Sequence, residues 1–324
     1  MMKEKFNARI REARDICILG HISPDGDCVG STLALYNYIR EYCPEKKVRV
    51  YLEESSEKFA YMEGFSRIVT ENAVDHSYGL CIVCDCGDAG RTGRFLKYLQ
   101  TAEKSFMIDH HVTNEGFCDD YVIRAEASST CEIVYDLLYD EYITKPVAEC
   151  IYTGIIHDTG VFKYSSTSPH TMEIAGRCME KGISFGRIID DSFYSMTYKQ
   201  RVLLGAVLQS LEPRLSGAFH IARLSQKTMR DYGILSAKET DGFIDLIRNI
   251  DGASGGAFFY QLQDGTYKAS LRSNTDDLDV SVIAKEFGGG GHKRAAGCLL
   301  SQNYNQDIEE ILRMAAEQLS EKHE

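Results

Sequence analysis

The 324-residue chain predicts an α/β fold: a doubly wound, mainly parallel sheet, then a smaller α+β domain joined to it by a linker helix. Three observations predict it. Short apolar runs alternate with helix-patterned stretches through the first half, as β-α-β units do. Polar residues gather directly behind several of those runs. Past residue 183 the alternation stops and hairpin signals take over. Two domains also suit the length, at about 100–200 residues each. The expected boundaries are 1–190 for the first domain, 191–213 for a linker with a connecting helix, and 214–324 for the second domain.

The elements follow in order. MMKEKFNARIREARDI is charged, lacks the apolar core of a secretion signal, and reads as a helix with Phe6 and Ile10 on one face. ICILG (16–20) is a first strand. STLALYNYIREY (31–42) is a helix with Leu33, Leu35, Tyr36 and Ile39 at its apolar positions. KVRVYLE, LCIVCDC and SFMID read as three further strands. SSTCEIVYDLLYDEY begins with a capping-box spacing, Ser129 to Glu132. SPHTMEIAGRCMEKGI has Ser168 as N-cap, Pro169 in the first turn and Gly182 at the stop. YKQRVLLGAVLQSLE (198–212) is the connecting helix, and EPRLSG breaks it. In the second domain, Asp264-Gly265 between two alternating runs is a hairpin signal. A helix, DVSVIAKEF, then runs into GGGGHKRAAG.

Composition narrows the function. The chain is 44% hydrophobic and 26% charged, as soluble globular proteins are. No apolar run approaches the roughly 20 residues of a membrane span, so no membrane is expected as a partner. Eleven cysteines without a paired framework read as reduced thiols of a cytoplasmic protein. CIVCDC lacks a second Cys/His pair at zinc spacing, so its cysteines are expected in strand packing. The net charge of −12 argues against long nucleic acid, which needs a broad basic surface. It leaves room for a small anion in a local pocket and for carboxylates gathered around cations.

Such a gathering is visible. HISPDGD supplies His21, Asp25 and Asp27 behind the first strand. LCIVCDC supplies Asp85, and SFMIDHH supplies Asp109, His110 and His111. TGIIHDTGVF sets Asp158 among apolar residues. Ligand sites of open α/β sheets lie at the carboxyl ends of the strands, so three strands deliver His and Asp to one rim. One Asp-His pair alone is turn chemistry; three groups together are not. Clustered carboxylates repel unless a cation is present. Mixed imidazole and carboxylate donors suit Mn²⁺ or a similar divalent ion, with Mg²⁺ or Co²⁺ as alternatives. Four Asp and two His exceed one ion's needs, and two ions about 3.5–4 Å apart suit phosphoryl transfer.

HISPDGD, the Asp of VCDCGD, DHH and HDTG, in this order, resemble the four motifs of the DHH phosphoesterases. GGGGHKRAAG resembles the DHHA1 domain found with them. The motifs span nearly the whole chain and are most similar to those of the NrnA-like oligoribonuclease/pAp phosphatases. The resemblance implies one metal on His21, Asp25 and Asp85, and a second on Asp27, Asp85, His110 and Asp158, with Asp85 bridging. It implies that His111 faces the substrate phosphate as an acid or charge stabiliser, and that Asp109 orients an imidazole. A homodimer is a further implication of the family.

Other residues carry blander expectations. His157 lies about 100° around a helix from Asp158 and is left out of the site. Asp88 and Arg91 read as a loop pair, His170 as a surface residue, and His76 and His220 as residues without partners in view. GGGGHKR lacks the ending of a nucleotide P-loop. By itself it reads as a flexible C-cap. In the family context it is expected to be a backbone nest for an anion, with Gly290, Gly291, His292 and Lys293, helped by Arg294 and by Arg272 of the SLRS strand. The expected function is hydrolysis of short oligoribonucleotides and pAp. A dinucleotide phosphodiesterase, linear or cyclic, is the alternative within this chemistry. A non-catalytic nucleotide or metal sensor is the alternative of another class, and it would be expected to lose some of the six ligands.

Overall fold

A computed structural model describes residues 2–71 and 75–320. The chain divides into two compact units, Met1–Ser195 and Met196–Glu324.

The first unit holds a six-stranded, fully parallel sheet in the order β3-β2-β1-β4-β5-β6. Its strands are β1 (Asp15–Leu19), β2 (Lys47–Tyr51), β3 (Ile68–Val69), β4 (Leu80–Cys84), β5 (Ser105–Asp109) and β6 (Asp120–Ile123). β1 and β4 are buried at every position, as strands covered on both faces must be. That is why their sequences are continuous apolar runs. The two short outer strands, β3 and β6, carry no such run and were not foreseen. Helices α1 (Met2–Glu12), α2 (Gly26–Tyr42), α4 (Thr130–Leu137), α5 (Lys145–Asp158) and α6 (Pro169–Glu180) build the larger core. α3 (Leu96–Thr101) covers the opposite face, where Cys17, Cys81 and Cys86 pack with Tyr51, Phe95 and Tyr98. All eleven cysteines are free. A short α7 (Phe185–Ile188) runs on into a π-helical segment, Ile189–Tyr194, that closes the unit.

α1 buries Phe6 and Ile10 as expected. α2 starts five residues earlier than its apolar pattern suggested. Asp25 caps it, accepting from the amides of Asp27 and Cys28 at 3.1 Å each, so Gly26 and Gly30 lie inside the helix. Gly30 is needed for close approach: a Cβ there would stand 2.6 Å from the Cys150 carbonyl of α5. At α6 the expected cap is complete, with Ser168 and Thr171 each bonding the other's backbone. At α4 the expected box is half-made. Ser129 accepts from the Glu132 amide, but the Glu132 carboxylate accepts from the hydroxyls of Ser128 at 2.7 Å and Thr171 at 2.6 Å. Glu132 is buried, and two buried hydroxyls satisfy it better than one backbone amide.

The second unit starts with α8 (Tyr198–Gln209). This is the helix expected as a connector, and it packs into a core: Leu203, Leu204 and Val207 join Phe243, Ile247 and Phe258. A mixed sheet follows in the order β11-β12-β10-β9-β8-β7. Its strands are β7 (Glu212–Arg214), β8 (Phe219–Leu224), β9 (Gly255–Gln261), β10 (Tyr267–Ser273), β11 (Gly290–His292) and β12 (Ala295–Leu299). Helices α9 (Gln226–Asp231) and α10 (Phe243–Arg248) precede β9, while α11 (Val280–Glu286) and α12 (Tyr304–Ser320) cover the other face with Leu271, Ile283 and Ile311. The β9–β10 hairpin turns at Asp264-Gly265, with Gly265 at φ +91°. Among the described residues, no helix is long and apolar enough to cross a membrane.

Candidate active site

The strand ends bring the expected residues together. Asp85 stands at the centre, one residue past β4. Its carboxylate faces His21 Nε2 at 3.3 Å, His110 Nε2 at 3.7 Å and His111 Nδ1 at 3.8 Å. Its φ is +58°, a left-handed conformation that costs a non-glycine residue about 1–3 kcal/mol and clusters at functional positions. The Asp85 amide donates to the Ile108 carbonyl of β5, and Thr130 Oγ1 donates to Asp85 Oδ1 at 3.1 Å.

Asp27 is fully buried. Both its oxygens accept from the amino end of α4: Thr130 N at 2.6 Å and Cys131 N at 2.9 Å. These are unsatisfied helix-end donors, and the helix dipole favours an anion there. Gly154 on α5 makes room, since a Cβ would stand 2.6 Å from Asp27 Oδ1. His110 Nε2 lies 3.1 Å from Asp158 Oδ2 at the end of α5. His21 anchors Nδ1 on the Ile22 carbonyl at 2.8 Å and turns Nε2 towards Asp85, with Asp25 at 3.7 Å. Three groups of possible ligand atoms result, each within 4.8 Å: His21 with Cys28 and Asp85, Asp85 with His110 and His111, and Asp27 with His110 and Asp158. Five of the six expected ligand residues fall in these groups; Asp25 is in none of them, its Oδ1 capping α2 and lying 3.7 Å from His21 Nε2. Cys28, which the motif reading passed over, lies beside them with its Sγ 3.2 Å from the His21 amide.

The charges report a cluster under strain. Burial pushes Asp27 well above the usual carboxylate range, and repulsion by Asp85 and Asp158 adds to it. Burial likewise raises Asp158 to about 6, against the pull of His110. Burial would lower His110, but Asp158 and Asp27 outweigh it and raise it to about 10. Carboxylates packed so closely need positive charge among them, and the oxygen and imidazole donors suit a divalent ion. The residues present fit that group.

Asp109 belongs to a separate chain of hydrogen bonds. Its Oδ1 accepts from His111 Nδ1 at 2.7 Å, and its Oδ2 from Asn114 Nδ2 at 2.6 Å. Asn114 also donates to the Cys86 carbonyl at 2.9 Å. The imidazole that Asp109 orients is thus His111. Burial opposes the Asp109 charge, but His111 and Asn114 outweigh it and hold the pKa low. The Asp109 carboxylate in turn raises His111, whose side chain is 38% exposed. Sequence reasoning missed Asn114, Thr130 and Gly154. Asn114 follows His111 by three residues, and that spacing was the available signal.

The blander expectations divide. His157 stays outside all three groups. It packs against the rings of Phe59 and Phe193, and burial pulls its pKa down to about 3. Asp88 caps the Arg91 backbone amide, and the Arg91 carbonyl accepts from Ile22, which ties the Asp85 loop to the His21 loop. His76 has a partner after all, Asp15 at 2.7 Å, and His170 pairs with Asp136. His220 is buried, with Nδ1 unpartnered among the described residues.

The glycine stretch divides: its first two residues cap α11, as the C-cap reading expects, and the rest is a strand. Gly288, at φ +69°, ends α11, and its amide bonds the Lys285 carbonyl. Gly290–His292 is the edge strand β11, paired antiparallel to β12. Extended, ladder-bonded backbone is no anion nest. The closeness explains the glycines: a Cβ on Gly289 would stand 2.2 Å from the Gly297 carbonyl. The register aligns the expected side chains instead. Arg272 and His292 both pair with Ala295, so they share a sheet face about 10 Å apart. Lys293 and Arg294 lie 3.6 Å and 3.0 Å from one carboxylate, Asp276.

Comparison with known proteins places the chain in a family. Residues 15–155 match the DHH family, N-terminal domain, and residues 223–321 match the DHHA1 domain. The chain is 31% identical over 320 residues to the "Probable bifunctional oligoribonuclease and PAP phosphatase NrnA" of Streptococcus mutans, covering 94% of this chain and 96% of that one. It is 26% identical to the "Bifunctional oligoribonuclease and PAP phosphatase NrnA" of Bacillus subtilis, covering both completely. A crystal structure of an "exopolyphosphatase-related protein" from Bacteroides fragilis superposes with a TM-score of 0.88 at 25% identity, covering 98% of this chain and 97% of that one. The chain belongs to the DHH/DHHA1 phosphoesterase family, among its NrnA-like members.

Proposed function

We propose that this chain is a two-metal phosphoesterase that hydrolyses short oligoribonucleotides to 5′-mononucleotides and pAp to AMP. The observation that supports the reading is the clustering of His21, Asp85, His110, Asp27 and Asp158 in groups of possible ligand atoms, with Asp25 beside His21. The two relatives named as bifunctional oligoribonuclease and PAP phosphatase support the substrate class. Free thiols at every cysteine agree with a cytoplasmic location.

In this reading His21, Asp25 and Asp85 would hold one ion, and Asp27, Asp85, His110 and Asp158 would hold the other. Bound there, divalent ions of the Mn²⁺ kind supply Lewis-acid charge and lower the pKa of water. The chain's own groups do the rest. The α4 amides fix Asp27, and Thr130 fixes Asp85. Asp109, itself held by Asn114, accepts from His111 Nδ1 and favours the imidazolium, whose Nε2–H can then donate a hydrogen bond or a proton to a phosphate oxygen. Recognition of the substrate beyond the reacting phosphate is assigned to Arg272 and His292, which flank Ala295 on one sheet face.

The test pairs elemental analysis with a substrate panel: bis-p-nitrophenyl phosphate, pAp, a linear dinucleotide and a cyclic dinucleotide at equal concentration. Two divalent ions per chain with pAp and linear dinucleotide turnover are expected. A chain that binds metal and nucleotide without hydrolysing any of the four would be a sensor, and this reading would be abandoned.

A further inference from the structure

A second concentration of charge, of opposite sign, lies at the edge of the first sheet. A cavity of about 370 Å³ is lined by Tyr36, Arg40, Val48, Arg49, Arg67 and Val69. β3 is only two residues long and pairs with Val50 and Tyr51 alone. Among the described residues, no strand covers the outer side of Lys47, Val48 and Arg49, so β2 keeps an unpaired backbone edge there. Arg49 and Arg67 are the residues immediately before the paired positions on the two strands.

Two arginines brought side by side repel each other, as like charges on neighbouring strands do. Among the described residues neither has a carboxylate within 4 Å. Arg49 reaches only the hydroxyl pair of Tyr51 and Tyr78. The third arginine, Arg40, lies 5.5 Å from the Tyr36 ring centre and 3.8 Å from Glu63. Of the three arginines that line the cavity, only Arg40 has a carboxylate within 4 Å among the described residues, in a chain whose net charge is −12. The argument that asks for a cation among crowded aspartates asks here for an anion. Guanidinium forks match phosphate oxygens in pairs, and the cavity falls in the range of small-ligand pockets, about 300–1,000 Å³. Tyr36 is buried beneath Arg40, which leaves no open ring for a base to stack on.

We propose that this notch is an anion site for a diphosphate or triphosphate group, separate from the carboxylate centre. The candidate active site gathers where β1, β4 and β5 end, whereas the notch opens beside the start of β2. Three forks exceed what one phosphate needs, and the absence of a stacking surface means that the phosphate chain is recognised rather than the base. The inference stands independently of the proposed reaction.

The experiment is calorimetric titration of the metal-loaded full chain with methylenediphosphonate, adenosine β,γ-methylene triphosphate, inorganic phosphate and AMP. It is run on wild type, on Arg67→Glu and on the milder Arg49→Gln/Arg67→Gln. Hydrolysis of bis-p-nitrophenyl phosphate reports that the carboxylate centre is intact in each. The expected result is a binding component for methylenediphosphonate that both variants weaken by about tenfold or more with hydrolysis unchanged, and that phosphate and AMP lack. The same component with the triphosphate analogue identifies a nucleotide's phosphate chain as the source; its absence there confines the site to free diphosphate, and both outcomes support the proposal. Methylenediphosphonate binding that neither variant changes overturns it. So does a component that inorganic phosphate or AMP shares at equal affinity, or a notch covered in solution by a second copy of the chain.

Discussion

Asp27 in the first unit has both carboxylate oxygens in hydrogen bonds to the amino end of α4. The Arg272 guanidinium in the second unit has, among the described residues, one hydrogen bond, to the carbonyl of its own neighbour Leu271, and a carboxylate 3.8 Å away. The contrast extends to their surroundings. The first rim buries Asp27, Asp85, Asp109 and His21 and holds Asp85 in a left-handed conformation. The face of the second sheet that carries Arg272 and His292 has small neighbours, Gly256 and Ala295, in the same row. The difference teaches what each task demands. Chemistry at phosphorus needs groups fixed before the substrate arrives. Recognition of a remote phosphate needs cations whose hydrogen-bonding capacity is still open, because a satisfied guanidinium has nothing left to offer.

The sharpest way to break the contrast is at Asp85. Asp85→Ala is expected to lower kcat/KM by at least about 10³-fold on every substrate and to release divalent metal, because His21, His110 and His111 all face this one carboxylate. Elemental analysis and hydrolysis of bis-p-nitrophenyl phosphate check it. A variant that keeps both ions and its turnover would show that Asp85 is not shared between them.

His111 should separate from the ligands. His111→Ala is expected to keep its metal while kcat falls about 10²–10⁴-fold. Loss of one ion would mean that His110 and His111 have exchanged roles. Asn114→Ala tests the support behind it, with an expected loss of about 10–100-fold. The pH profile gives the sign. Asp109 raises the His111 pKa, so the protonated form persists to higher pH than in a free imidazole, and the stability this pair contributes is lost as pH rises through the raised value. Without Asn114, Asp109 is held less firmly and its charge is less favoured, so the His111 pKa falls. The alkaline limb of kcat is therefore expected to move to lower pH in Asn114→Ala. An unmoved limb, with activity lost at all pH values alike, would make Asn114 a packing residue only.

Much of the rim was legible because each contributor stands directly behind an apolar run, and the sheet places carboxyl ends together whatever the loops do. The parallel fold was legible for the same reason. What was hidden depends on contacts distant in sequence. Thr130 and Cys131 reach Asp27 across 103 and 104 residues, and Gly154 matters only because Asp27 and Cys131 press against it. Glu132 had the spacing of a cap but found better donors in Ser128 and Thr171. In the second unit, the glycines suggested a loop because glycine is rare in strands. Their small size instead lets the backbone at Gly289 and Gly291 approach β12 closely. That Arg272 and His292 share a face follows from register, which single-sequence patterning does not give.

The smallest expected effect is also the one that addresses the contrast most directly. Arg272 is half-buried, and its nearest carboxylate is Asp245 at 3.8 Å, a distance at which an exposed pair contributes about 0–1 kcal/mol. Removing it should therefore leave the fold intact. If it binds a phosphate beyond the reacting one, its energy is realised only with substrates that carry such a group. Arg272→Ala is thus expected to lower kcat/KM for pAp and dinucleotides by about tenfold or more, mainly through KM, and to leave bis-p-nitrophenyl phosphate hydrolysis and metal content unchanged. His292→Ala should act in the same direction, since the register puts both side chains on one face. The ratio of kcat/KM between the two substrate types decides the matter. Equal losses on both would mean that Arg272 supports the fold or the carboxylate centre, and the division between a rigid chemical rim and an open recognition face would not hold.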